Sequence, residues 1–75
     1  MTQLEVLYRY EQHPTEAAMI ALGKAREVYG MRRILIDQEW KTILVEYDAT
    51  RLNEATVENL LRQAGFDVRE RLALL

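Results

Sequence analysis

The chain has 75 residues, 49% of them apolar and 29% charged, with 12 acidic and 10 basic side chains and a net charge of −2. That length makes one domain, residues 1–75, and that balance of apolar to charged residues excludes a disordered chain. Basic residues form no block that would neutralise a run of phosphates, and no apolar run nears the roughly 20 residues a bilayer requires, so neither nucleic acid nor membrane insertion is expected.

Residues 3–10 alternate, with Leu4, Val6, Tyr8 and Tyr10 on one face and Glu5, Leu7 and Arg9 on the other, the period of a half-buried strand. His13-Pro14-Thr15 breaks it, because proline removes a donor and pushes the preceding residue out of helical space. Thr15 is a suitable N-cap, and a helix is predicted from there to about Tyr29, with Ala18, Ala21, Leu22, Ala25, Val28 and Tyr29 at helical spacing and Gly30 as its stop. Met19, an unbranched side chain on this helix, reads as core filler.

Two strands over 31–36 and 41–47 follow, joined by the hairpin Asp37-Gln38-Glu39-Trp40, with Ile34 and Ile36 sharing a face with Ile43, Val45 and Tyr47. A second helix is bounded by Asn53 as N-cap and Gly65 as C-cap, with Leu52 and Val57 at the positions of a hydrophobic staple. Val57, Leu60, Leu61 and Ala64 make its apolar stripe. A last strand runs from Phe66 onward, ending in Leu72-Ala73-Leu74-Leu75. The order strand, helix, strand, strand, helix, strand predicts an α+β ferredoxin-like βαββαβ sandwich, a four-stranded antiparallel sheet with two helices on one face.

The spacing of Gly30, the hairpin and Tyr47-Asp48, together with the Ala64-Gly65-Phe66 ending, resembles the heavy-metal-associated domain of copper chaperones and of the cytosolic tails of metal-pumping P-type ATPases. That resemblance implies a Met-x-Cys-x-x-Cys loop after the first strand, whose soft thiolates hold soft metals such as Cu(I). This chain has no cysteine. Counting back from Gly30 places the methionine position near Gln12 and the two cysteine positions near Pro14 and Ala17. A shift of one residue in the first strand instead puts His13 and Glu16 there, a borderline ligand pair for weak Zn²⁺, Ni²⁺ or copper binding; no other cofactor is expected. The resemblance also makes Phe66 the aromatic beside the metal loop, here packed on His13-Pro14 or the core.

An enzyme is not expected. The single histidine leaves no Ser/His/Asp set, and Gly23, Gly30 and Gly65 are isolated, so no phosphate loop exists. Asp37/Glu39 and Glu46/Asp48 read as solvated charge at a hairpin tip and a strand end. The outer sheet face carries Leu7, Leu35 and Leu44, with Trp40 and the C-terminal leucines extending it, a patch suited to a homo-oligomer or partner-protein interface. Arg32-Arg33 and Arg69-x-Arg71 would form its basic rim. The favoured reading is thus a cytosolic, non-enzymatic interaction or assembly module on a metal-domain scaffold; the alternative is metal binding or transport through a non-cysteine site near His13.

Overall fold

The computed structural model describes residues 2–74. β1 (Gln3–Tyr10), α1 (Glu16–Ala25), β2 (Met31–Asp37), β3 (Thr42–Asp48), α2 (Glu54–Ala64) and β4 (Val68–Leu74) follow in that order. The strands form one antiparallel sheet in the order β2-β3-β1-β4, which with the two helices is the ferredoxin-like sandwich. Alternation in β1 and β3 decides which side is inside: Val6, Tyr8, Tyr10, Ile43 and Val45 are fully buried, and Val6 faces Val45 while Tyr8 faces Ile43. Ala18 and Leu22 from α1 and Val57 and Leu61 from α2 close the same core over that face.

The caps lie where the sequence places them. Thr15 Oγ1 accepts the Ala18 N–H at 3.0 Å, and Asn53 Oδ1 accepts the Thr56 N–H at 2.8 Å. Gly65 adopts φ 107°, and a Cβ there would stand 3.2 Å from the Ala18 Cβ, so glycine serves both the turn and the close approach of α2 to α1.

Two boundaries differ from expectation by two residues or more. α1 stops at Ala25 rather than near Tyr29, because the Glu27 and Val28 N–H groups reach back only three residues, to the Lys24 and Ala25 carbonyls. Four more residues of α-helix would carry the chain about 6 Å past the point where it must drop to β2. Tyr29 consequently turns outward, 72% exposed, with the Arg51 guanidinium 4.8 Å from its ring centroid. β4 starts at Val68 rather than Phe66, and its pairing with β1 shifts register twice, the irregular pairing common at a sheet edge. Leu75, expected to end the strand, lies outside the described residues.

Candidate functional site

The segment that the resemblance assigns to metal links β1 to α1. The Tyr10 N–H donates to the Lys41 carbonyl at 2.9 Å and the Glu11 N–H to the Asp67 carbonyl at 3.1 Å, so the link lies between the hairpin and the α2–β4 turn. Gln12, His13, Glu16 and Ala17 are exposed and Pro14 is half-buried. Among the described residues, no three or more His, Asp or Glu side chains cluster closely enough to hold a metal ion. Glu16 stands in the first turn of α1, where its charge complements the helix dipole. Met19 is not core filler: it lies on the outer side of α1, 39% exposed, because Ala18 and Leu22 take the inward positions.

Phe66 is 3% exposed and meets Tyr10 edge-to-face, with ring centroids 6.1 Å apart and planes at 81°. Of the two packing sites expected for it, the core is the one it takes. The Tyr10 hydroxyl is buried with no hydrogen-bond partner, and burial, then the Asp37 charge, pushes its phenol pKa up.

On the outer sheet face, register aligns side chains across all four strands. Leu35 is the partner of Leu44, Leu44 of Leu7, and Leu7 of Ala73, and opposed residues in a ladder share a face. Leu35 is 48% exposed, while Leu7, Leu44 and Ala73 are half-exposed beside it. Polar rows border this line: the charged Arg33, Glu46 and Glu5 on one side, and Asp37, Arg9 and Glu70 with the uncharged Thr42 on the other. A shallow hollow opens between Leu7, Leu35, Leu44, Thr42 and Asp37. Trp40, 74% exposed, stands beyond it in the hairpin, where Asp37 Oδ1 accepts the Glu39 and Trp40 N–H groups at 3.0 and 3.1 Å. Leu74 does not extend the row, because its partner is the inward-facing Val6.

Two polar arrangements escaped the sequence reading. The Tyr8 hydroxyl donates to Glu54 Oε2 at 2.9 Å, and Arg71 Nη1 donates to Glu54 Oε1 at 2.8 Å. Arg71 thus bonds Glu54 at the start of α2 instead of joining an outer basic rim, and Arg69 pairs with Asp67 at 3.0 Å. Burial, reinforced by the Glu54 hydrogen bond, pushes the Tyr8 phenol far above its usual range, so it stays a neutral donor. The available signal was Tyr8 itself, an inward tyrosine whose hydroxyl needs a partner. Asp48, read as solvated, is 1% exposed. Its Oδ1 accepts from the Thr50 hydroxyl at 2.6 Å and the Thr50 N–H at 2.9 Å, and its Oδ2 lies 3.7 Å from Arg32. The Thr50 hydrogen bonds hold its pKa below the ordinary carboxylate value.

No family model matches the chain, and no curated protein sequence does. Solved structures do. Oxidized MerP from Ralstonia metallidurans CH34 superposes with a TM-score of 0.76 at 12% identity, over 96% of this chain and 100% of that one. The yeast copper transporter domain CCC2A, solved in apo and Cu(I)-loaded states, superposes with a TM-score of 0.72 at 20% identity, over 93% of this chain and 96% of its own. The chain has the fold of these two domains. At such identities the likeness is one of fold, and the ferredoxin-like fold implied by the heavy-metal-associated resemblance is the one found. None of the helices among the described residues is long and apolar enough to cross a membrane.

Proposed function

We propose that this chain is a non-enzymatic protein-interaction or assembly module that uses the outer face of its sheet on a scaffold shared with metal-binding domains. The observation that carries this reading is the row Leu35–Leu44–Leu7–Ala73, apolar across all four strands and bordered by charge on both sides. An apolar centre with a polar rim is the arrangement of protein interfaces. A single histidine, exposed on a link between elements, supports no acid–base pair, which agrees with a non-enzymatic role. The Cu(I)-loaded state of the yeast neighbour favours metal carriage as the second reading. Here that role falls to His13 and Glu16, two exposed donors where a structural metal site uses about four. The proposed setting is the cytosol, which fractionation of expressing cells checks.

Amide shifts recorded over a concentration series and against candidate partners test the main reading. The expected result is shifts centred on Leu7, Leu35 and Leu44 that disappear in Leu44→Glu while the dispersion of the folded spectrum is kept. The absence of shifts at Leu7, Leu35 and Leu44, or shifts there that are indifferent to Leu44→Glu, overturns it.

A further inference from the structure

The two helices have similar lengths, 10 and 11 residues, but show solvent very different surfaces. α2 is strongly amphipathic: Val57 and Leu61 are buried, while Thr56, Asn59, Arg62 and Gln63 face water. α1 is not. Ala18, Leu22 and Ala25 are buried, yet its exposed positions include Ala17, Met19, Gly23 and Ile20, which is 64% exposed. Exposed apolar positions grouped on one helix mark a surface suited to a partner, and no described residue covers these.

Gly23 sharpens the point. A Cβ there would meet nothing within 4 Å, so packing inside the chain provides no reason for glycine. Mid-helix glycine is about 0.5–1 kcal/mol less favourable than alanine. A second backbone approaching closely at that spot is a physical use for the missing side chain.

The two charged residues on this side of α1 indicate which backbone. Glu16 and Lys24 stand four residues before and four after Ile20, about 6 Å below and above it and about 40° to either side. Ala17 and Gly23, the small residues, stand three before and three after it. The surface is therefore self-complementary under reversal: Glu16 comes level with Lys24 of a second copy, Ala17 with Gly23, and Ile20 with Ile20. A parallel alignment would instead oppose like charges.

We propose that α1 pairs antiparallel with α1 of a second copy of this chain, about a two-fold axis at Ile20. Such an isologous contact repeats each interaction on both sides of the axis. Exposed ion pairs contribute little energy, so Glu16 and Lys24 set direction and register while Ile20 and its small neighbours provide the buried area. A contact centred on a helix about 15 Å long is smaller than a standard interface, so the dimer is transient and forms at high protein concentration. This surface belongs to the helix layer, opposite the sheet row, and the two contacts can fail separately.

Charge reversal at low ionic strength tests the pairing. Glu16→Lys and Lys24→Glu should each weaken self-association about tenfold by sedimentation equilibrium, since each opposes like charges twice. An equimolar mixture of the two variants should recover the parent affinity as a 1:1 heterodimer, because each then supplies the charge the other lacks. Both sites are exposed and outside the core cluster, and circular dichroism checks that the variants fold. The chain has no cysteine, so Ile20→Cys adds a unique reporter that should oxidise to a disulfide dimer readily, and Leu35→Cys on the sheet more slowly. A dimer untouched by both reversals but lost in Leu44→Glu overturns the proposal, as does a parent that stays monomeric at millimolar concentration or a mixture that fails to recover.

Discussion

The Tyr8 hydroxyl donates to the Glu54 carboxylate at 2.9 Å, tying the central strand of the sheet to the first turn of α2. Tyr10, two residues along and on the same face, buries its hydroxyl with no partner. The same substitution should therefore act differently at the two sites. Tyr8→Phe removes a hydrogen bond to a charged acceptor and should cost about 1.5–3 kcal/mol. Tyr10→Phe relieves an unpaired buried hydroxyl and should lie within about 0.5 kcal/mol of the parent or stabilise it. Urea denaturation measures both, and equal losses would contradict this account.

Asp48 gives acid sensitivity a definite sign. The Thr50 hydrogen bonds lower its pKa in the folded chain, so folding favours the carboxylate over the acid. Its contribution is complete above the unfolded value, about 3.9, and is lost as pH falls through the lower folded value. Asp48→Asn should flatten the fall in melting temperature over that window while lowering stability at pH 7. A variant whose profile merely parallels the parent would exclude this role.

Gly65 and Gly23 should respond oppositely to alanine. Gly65→Ala forces a side chain into φ 107° and 3.2 Å from the Ala18 Cβ, and should cost about 1–2 kcal/mol or more. Gly23→Ala enters open space on a helix and should stabilise the monomer by about 0.5–1 kcal/mol. Thermal melts at low concentration, where α1 pairing is absent, compare the two.

Titration with Cu(I) or Zn²⁺ separates a metal-binding role from a likeness of fold alone. Two exposed donors, His13 and Glu16, should give only weak binding, with gradual amide shifts and no stoichiometric break. A one-to-one break centred on residues 11–17 and abolished by His13→Ala would instead establish the metal-binding reading.

Much of the fold was legible because its determinants are local. Period two in β1 and β3, the Thr15 and Asn53 caps and the Gly65 stop each act within a few residues. The end of α1 was not legible, because Val28 and Tyr29 continue its helical spacing while the need to reach β2 tightens the backbone first. Asp48 looked solvated because a strand end is usually open, whereas here Thr50 and Arg32 close over it.

By itself the sequence determined the element order, the inward residues of each central strand and the absence of thiolates, all properties of short windows or of residue type. Only the tertiary structure decided which distant groups meet. Tyr8 and Glu54 are 46 residues apart, and Glu54 and Arg71 are 17 apart. The row Leu35–Leu44–Leu7–Ala73 likewise exists only through the register of four strands. The open side of α1 is a similar case: its apolar residues were plain to read, but which of them the core would leave uncovered depends on where the sheet and α2 stand.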